Sequence, residues 1–204
     1  MVNLLVLAIL SLAQVNWPDA YPYCPSVQVE YHCSDDSLFL HWYVDETNVR
    51  ATVTRAQGPV YKDSAVEFFC LLPDGKHYTN FEFNCLGYCL SDIQLGMYAH
   101  GRTRRSKEEL AQIHRRPSLG RDSLGVLPDT THWELETTIP LRWLLPESAW
   151  DKRGHLRKNT TLRCNFYKCS DRSASPHYLS YFPIATPKPN FHCPEYFQKI
   201  KLCQ

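Results

Sequence analysis

The chain has 204 residues, of which 44% are hydrophobic and 21% are charged, as in an ordinary soluble globular protein. Its formal net charge of +1 provides no overall field that would select nucleic acid or an anionic surface. Aromatic residues reach 13%, a share that suits strands and stacking surfaces. We therefore expect residues 1–204 to form a single folded domain.

The apolar residues 1–13 allow two interpretations. A signal peptide would normally carry a Lys or Arg before its apolar run and would be longer. The segment is also too short to span a bilayer. We favour an ordered N-terminal strand or helix that packs Leu5, Ile9 and Leu12 on the core. The compartment stays unknown, with the cytoplasm slightly preferred over export.

Short alternating segments begin after residue 26 and predict strands. In residues 38–44 the even positions are apolar, and Gly58-Pro59 and Pro73-Asp74-Gly75 supply turns between later segments. Further strands are expected at 49–55, 64–71, 78–85, 132–139, 162–169 and 177–183. This pattern predicts an all-β fold, a β-sandwich of jelly-roll type.

Residues 100–121 interrupt the strand pattern with one short helical insertion near 105–116. The segment contains seven Arg or Lys residues, which could suggest a nucleic-acid patch. It has no aromatic residue to stack on bases, and Glu108 and Glu109 dilute its charge. We therefore interpret it as a solvated insertion and expect no nucleic-acid partner.

The nine cysteines show no C-x-x-C spacing, and their apolar neighbours favour reduced thiols in the core. No His or Cys cluster has the tight spacing of a metal site, and only Met1 and Met97 could serve as thioether ligands. A haem or metal protein is therefore disfavoured, and no cofactor is expected.

Residues 80–84 give the most informative alternation. Phe81 and Phe83 share one face of the predicted strand, whereas Asn80, Glu82 and Asn84 share the other. An amide–carboxylate–amide row can donate and accept hydrogen bonds along the edge of a polyhydroxylated ligand. An ordinary solvent-facing strand would show the same alternation, so this row needs support from its neighbours.

That support comes from other mixed segments. Glu67 lies in an otherwise apolar strand, where a carboxylate needs partners. It could bond sugar hydroxyls, or it could pair with Lys168 or with an arginine across the sheet. Residues 165–171 and 176–181 again combine aromatic rings with polar groups. Two rings that face each other over polar groups can hold a pyranose between them.

From about residue 15 to 197 the chain resembles the family 9 carbohydrate-binding modules, in the subgroup often found as small stand-alone proteins of Bacteroidota. The stretches that carry the resemblance are VNWPDAYPYCP, VRATVT, GPVYKDSAVEFF, YTNFEFNCLG, HRRPSLG, WELETTIP, NFYKCSD, PHYLSY and FHCPEYF. The resemblance implies a jelly-roll sandwich that binds a sugar between two rings without catalysis. Some relatives carry structural calcium, but no Asp-rich loop here lets us assign calcium ligands.

Carried over position by position, the resemblance places the rings at Tyr61 and Tyr181, where Trp is usual in the family. It also places polar contacts at Glu82 and Asn84, with Glu82 standing where characterised binders can have a basic residue. We therefore expect a mono- or oligosaccharide to be the partner, in glycan utilisation, with no membrane span. The predicted carbohydrate-binding residues are Tyr61, Glu67, Glu82, Asn84, Lys168 and Tyr181.

The alternative to a binding module is a glycoside hydrolase that uses Glu67 and Glu82 as paired carboxylates. Nothing in their sequence setting marks either residue as an acid with a raised pKa. Non-catalytic carbohydrate binding is therefore the favoured function.

Overall fold

The computed structural model describes residues 8–96 and 100–202 of the chain. This part is almost entirely β-structure, with one short α-helix, α1 (Lys107–Ala111), and several single 3-10 turns. The strands are β1 (Ala8–Ser11), β2 (Gln14–Val15), β3 (Ser26–Cys33), β4 (Ser37–Glu46), β5 (Val49–Ala51), β6 (Ala65–Leu71), β7 (His77–Asn84), β8 (Cys89–Leu95), β9 (His100–Arg104), β10 (His114–Pro117), β11 (Gly125–Leu127), β12 (Thr131–Pro140), β13 (Thr161–Cys169), β14 (Tyr178–Ser180) and β15 (Gln198–Lys201).

Two large antiparallel sheets form a sandwich, as the alternation predicted. One sheet has the order β1-β3-β4-β12-β10, and the other runs β2-β14-β13-β6-β7-β8-β9, with β15 also paired to β13. A small ribbon of β5 and β11 lies outside them. Among the described residues, no helix is long and apolar enough to cross a membrane.

The main core fills the space between the two sheets. Trp42 of the first sheet packs edge-on against Phe166 of the second, with ring centroids 6.0 Å apart. Phe166 also contacts Phe68, and both are fully buried because alternate residues of each strand face inward. The thiols of Cys70, Cys85, Cys89 and Cys164 are buried in the same core, where they act as small apolar side chains.

The N-terminal segment is an edge strand rather than a fully packed element. β1 pairs with β3, and Leu12 just after it is buried, as expected. The expectation for Ile9 is wrong: its side chain is 56% exposed, because alternation within β1 turns it away from the core. Leu5 lies outside the described residues.

The basic insertion contains a helix, but a shorter one than its periodicity suggested. α1 ends at Ala111, and His114–Pro117 instead forms β10, which pairs with β12. Ser106 caps the helix by accepting a hydrogen bond from the Glu109 amide, while the Glu109 carboxylate accepts one from the Ser106 amide. This reciprocal pair satisfies two backbone donors of the first turn.

Alanine at position 106 cannot accept the hydrogen bond from the Glu109 amide. We therefore expect Ser106→Ala to lower the free energy of unfolding by about 1 kcal/mol. Ser148→Ala is the matched control, at an exposed position in a 3-10 turn elsewhere in the chain. It should change stability by less than about 0.5 kcal/mol. Urea denaturation of both variants tests this. Equal stabilities would show that the cap contributes nothing.

The outer face of the larger sheet carries a second apolar cluster that includes Phe69, Tyr78 and Tyr167. A chain segment after β14, residues 182–197, covers this face and is called the covering segment below. Its four prolines keep it out of regular secondary structure. It is attached where Phe191 stacks on Tyr167, with ring centroids 4.3 Å apart. The covering segment does not cover the whole face, and this leaves room for a cavity between the segment and the sheet.

Candidate functional site

A cavity of about 310 Å³ lies on the outer face of the larger sheet, between the strands and the covering segment. Strands β6, β7 and β8 form its bottom, and the loop after β13 together with the covering segment forms its sides. The residues of interest in its lining are Tyr61, Glu67, Glu82, Asp92, Asp171, Tyr178 and Asn190.

Two glutamates form the centre of the cavity bottom. Glu67 of β6 and Glu82 of β7 are directly opposite in the antiparallel register, which brings their Cβ atoms to about 5 Å. Burial, and then the proximity of Glu82, raise the pKa of Glu67 well above its usual range. The thiol of Cys169 opposes this rise by donating a hydrogen bond of 3.1 Å to Glu67 Oε1. Two such carboxyl groups hold protons to higher pH than ordinary glutamates.

Glu82 is connected to a chain of amide groups. Tyr78 donates to Gln94 at 3.0 Å, Gln94 donates to Asn80 at 2.9 Å, and Asn80 donates to Glu82 Oε1 at 2.8 Å. These bonds fix the carboxyl group in one orientation. Its second oxygen, Oε2, is buried and has no hydrogen-bond partner among the described residues. Glu82 is only 4% exposed, so this oxygen is available for a hydrogen bond with a ligand in a site largely shielded from solvent.

Burial raises the pKa of Glu82 to about 8, against the opposing hydrogen bond from Asn80. The folded protein therefore binds more protons than the unfolded chain between about pH 4.5 and 8, so this residue's contribution to stability is lost as pH rises through that window. Glu82→Gln keeps the acceptor for Asn80 but does not titrate. We expect its stability relative to the parent protein to increase by about 3 kcal/mol from pH 5 to pH 8.

Thermal or urea unfolding at several pH values measures this difference. A stability difference between the two proteins that stays constant with pH would contradict the raised pKa. Glu147→Gln, a substitution at an exposed position outside the cavity, is the control and should show no such trend.

Within the described part of the chain, Asp92 of β8 is the one cavity carboxylate that forms ion pairs with arginine. Arg104 Nε lies 3.1 Å from Asp92 Oδ1, and Arg102 Nε lies 3.6 Å from Oδ2. Both arginines belong to β9, which pairs with β8 and holds them over the edge of the sheet. The side chain of Arg102 is half exposed and lines the cavity, so it also borders any ligand bound there.

One side of the cavity is built by Tyr61 and by the loop after β13. Tyr61 lies in a 3-10 turn, and its carbonyl accepts a 3.0 Å hydrogen bond from the amide of Asp171. Burial raises the pKa of Asp171, while a hydrogen bond from Tyr178 partly offsets the rise. The ring of Tyr178 is held edge-on by Trp17 and Tyr21, at centroid distances of 6.0 and 4.8 Å. Two half-buried phenol rings thus border the acidic bottom.

The covering segment supplies the opposite side. Asn190 Oδ1 accepts the amide of His192 at 2.9 Å, whereas its buried Nδ2 has no hydrogen-bond partner among the described residues. His192 Nδ1 forms a 3.0 Å hydrogen bond with the hydroxyl of Tyr78. Burial lowers the pKa of His192 to about 4. The imidazole is therefore uncharged at neutral pH. An unused donor on Asn190 and an unpartnered carboxyl oxygen on Glu82 line the same space.

Comparison with known proteins identifies the family. The sequence profile of carbohydrate-binding family 9 matches residues 3–202. The chain belongs to carbohydrate-binding family 9. The resemblance seen in the sequence is thereby confirmed. No curated protein matches the chain significantly.

Solved structures support the assignment. A protein from Bacteroides uniformis, to which carbohydrate binding has been ascribed, superimposes with a TM-score of 0.84 at 33% identity, over 96% of this chain and 86% of that one. Family 9 modules from Caldicellulosiruptor kristjanssonii share the fold at 14% identity. The one solved with cellotriose has a TM-score of 0.57 over 98% of this chain and 84% of its own. The one solved with glucose has a TM-score of 0.54, over 88% and 77%.

Three of the six residues predicted as sugar ligands meet in the cavity of this family 9 module: Tyr61, Glu67 and Glu82. Asn84 lies on the same face of β7 but outside the cavity lining. Its side chain donates to Asp63 at 2.9 Å and to the Val53 carbonyl at 2.8 Å, so it holds neighbouring loops together. The prediction of Asn84 as a direct ligand contact is therefore corrected to a supporting role.

Lys168 points away from the cavity of the module. It is fully buried on the core side of β13, where its ammonium group donates to Glu46 at 2.9 Å and to His177 at 2.8 Å. Burial, and then the charge of Lys168, lower the pKa of His177 to about 2, so the imidazole stays neutral and accepts this bond. Lys168 is therefore not a sugar contact. Strand alternation places it on the same face as Phe166, inside the sandwich.

Tyr181 does not lie opposite Tyr61. Its ring packs against the main core, edge-on to Phe166 at a centroid distance of 6.4 Å. Tyr178, three residues earlier and on the other face of β14, lines the cavity in its place. The core-facing Leu179 was the available signal, because alternation from it puts Tyr178 outside and Tyr181 inside. Asp92, Asp171 and Asn190 were also missed.

The described residues contain no group of three or more His, Cys, Asp or Glu side chains arranged to hold a metal ion.

Proposed function

We propose that this family 9 module is a non-catalytic carbohydrate-binding protein in glycan utilisation, whose mono- or oligosaccharide ligand occupies the cavity over β6, β7 and β8. The observation that carries the proposal is the pairing, in one cavity, of aromatic rings with unused polar atoms. The cavity volume of about 310 Å³ lies at the lower end of the range for small-molecule sites, about 300–1,000 Å³.

The chemistry of a pyranose fits this lining. A sugar ring has apolar C–H faces and a rim of hydroxyl groups that both donate and accept hydrogen bonds. Tyr61 and Tyr178 offer aromatic surface for the faces. Glu82 Oε2 can form a hydrogen bond with one sugar hydroxyl, and Asn190 Nδ2 can donate to the oxygen of another. A bound sugar would thus satisfy buried groups that otherwise carry an energetic penalty.

The relatives support the same ligand class. The two Caldicellulosiruptor kristjanssonii modules of this fold were solved with cellotriose and with glucose. The proposed ligand set for this chain is accordingly Tyr61, Glu67, Glu82, Asp171, Tyr178 and Asn190. Tyr178 replaces Tyr181 in that set because it borders the cavity.

The carboxyl groups favour binding over hydrolysis. A two-carboxylate glycosidase that works by either standard mechanism needs one ionised carboxylate beside a protonated acid. Burial raises the pKa of both Glu67 and Glu82, which the sequence setting did not indicate. A raised pKa suits a general acid, but it disfavours the ionised form that the second carboxylate needs as nucleophile or base. Release of reducing ends from a polysaccharide, abolished by Glu67→Gln, would contradict the non-catalytic assignment.

Calorimetric titration with a panel of mono- and oligosaccharides tests the proposal. We expect at least one sugar to bind at millimolar concentration or better, and we expect Tyr178→Ala to weaken that binding about tenfold through loss of ring contact. Tyr181→Ala is the matched control and should leave affinity within about threefold, provided that thermal unfolding shows the variant to be folded. Absence of binding across the panel, or an effect of Tyr181→Ala that exceeds that of Tyr178→Ala, would refute this site.

A further inference from the structure

The lining of the cavity has an excess of acidic groups. Four carboxyl groups border it, those of Glu67, Glu82, Asp92 and Asp171, whereas Arg102 is the one lysine or arginine in the described lining. Arg102 and Arg104 pair with Asp92, and the charge of Arg102 also reaches Glu82. The remaining three carboxyl groups have no ion pair with a lysine or arginine within the described residues.

Glu82 provides a second and independent observation. Glu82 is only 4% exposed, and one of its two carboxyl oxygens has no hydrogen-bond partner in the described part of the protein. Glu67 lies directly across the strand pair from it. Buried carboxyl oxygens without donors are costly in the empty protein, and a ligand that brings several donors removes that cost.

We propose that the cavity selects sugars that carry a free, protonated amine, with the ammonium group between Glu67 and Glu82. The inference rests on the proposed sugar-binding function and deepens it by naming the ligand class. A hydroxyl has one proton to donate, whereas an ammonium has three and also carries a positive charge. Hydrogen bonds between an ammonium and carboxylates are about twice as strong as neutral ones.

The aromatic rings that border the cavity favour the same ligand. Tyr61, Tyr178 and Phe191 all line it, and the faces of aromatic rings attract a nearby cation. An acetylated amine would lose the charge and two of the donors, and it would add bulk. The cavity therefore favours a hexosamine over the same sugar with an N-acetyl group or a hydroxyl group in place of the amine.

Binding of an ammonium sugar is coupled to the protons of the two glutamates. Other charged or titratable groups that act on Glu67 are Asp171 and Cys169 in the lining and Lys168 from the core side. Those that act on Glu82 are Asp92, Asp171 and Arg102. Burial raises the pKa of Glu82 to about 8, so its carboxyl group is mainly protonated in the empty cavity near neutral pH, and burial raises the pKa of Glu67 as well. The arriving ammonium keeps its three protons, and a carboxyl proton leaves to solvent.

Calorimetry with glucosamine, glucose and N-acetylglucosamine at about pH 6.5, where an amine is protonated, tests the inference. We expect glucosamine to bind at least about tenfold more tightly than glucose. Titrations in two buffers with different ionisation enthalpies should show net proton release with glucosamine and none with glucose. The β-1,4-linked glucosamine trimer then shows whether the ligand is a free hexosamine or the end of an amino-sugar chain. Tighter binding of the trimer than of glucosamine would indicate a chain end. Equal binding of the two would indicate a free hexosamine.

Variants locate the preference. Glu82→Gln should reduce the glucosamine-to-glucose ratio to about threefold or less and remove the proton release, whereas Glu147→Gln, at an exposed position, should change neither. If glucose binds as tightly as glucosamine, the amine inference fails while sugar binding stands. A preference for glucosamine that survives Glu82→Gln and Glu67→Gln would overturn its placement between these residues. If no sugar binds at all, the proposed function fails as well.

Discussion

Lys168→Met is expected to lower the free energy of unfolding by about 3–5 kcal/mol, because it leaves a buried carboxylate without its cation. Glu46 and Lys168 are both shielded from solvent, and their charged atoms lie 2.9 Å apart between the two sheets. Trp133 donates a 2.8 Å hydrogen bond to the other oxygen of Glu46, so the carboxylate cannot turn toward solvent. Urea denaturation measures the loss.

Two controls separate the ion pair from simple loss of a lysine. Lys199→Met makes the same substitution at an exposed position of β15 and should change stability by less than about 0.5 kcal/mol. The double variant Glu46→Gln/Lys168→Met removes both charges and should recover a large part of the loss. A single variant as stable as the parent protein would show that the pair does not stabilise the sandwich.

Asp63→Ala is expected to cost about 3–5 kcal/mol and also to weaken sugar binding. Asp63 is fully buried and accepts hydrogen bonds from the amides of Thr52 and Val53, at 2.9 and 2.7 Å, and from Asn84 at 2.9 Å. Its removal leaves several donors without an acceptor, each costing about 1–3 kcal/mol when buried. Asp63 also ends the 3-10 turn that holds Tyr61, so its loss releases one side of the cavity.

Unfolding and sugar titration of the same Asp63→Ala sample measure both effects. Asp122→Ala, at an exposed position in the loop before β11, is the control and should leave stability and affinity unchanged. Lower stability with unchanged affinity would contradict the role of this residue in placing Tyr61. Unchanged stability would contradict the claim that the hydrogen bonds accepted by Asp63 stabilise the protein.

Most of the longer strands and two of the acidic residues could be predicted from alternation alone, whereas β8, β9, β10, β11 and β15 were not predicted. In β7 the apolar Phe81 and Phe83 face the core, and Glu82 faces the cavity, as the sequence indicated. Glu67 followed from the same pattern in β6. Period-2 alternation is a local property of a strand, so it can be read without knowledge of the fold.

Lys168 was placed at the site because of its residue type and Tyr181 because of the family resemblance, and neither placement took strand alternation into account. A lysine in the core is rare, yet Lys168 follows the core-facing Phe166 by two residues and pairs there with Glu46. Tyr181 follows the core-facing Leu179 in the same way. Alternation from these neighbours places both side chains on the core side.

The covering segment could not be predicted. It has four prolines and no periodicity, so nothing in the sequence indicates that it folds back over the outer face of the larger sheet. Its position depends on distant contacts, such as the 2.6 Å bond from Trp17 Nε1 to the Thr186 carbonyl. Asn190 therefore entered the candidate site only through the three-dimensional structure.

The central claim is that a sugar binds over Glu67 and Glu82, and amide NMR of the labelled protein tests it most directly. On titration with the tightest-binding sugar of the panel, we expect the largest shifts at amides around the cavity, including those of Glu67, Glu82, Asp171 and Asn190. The contradicting result would be unchanged cavity signals, with shifts instead on the outer face of the five-stranded sheet around Phe39 and His41.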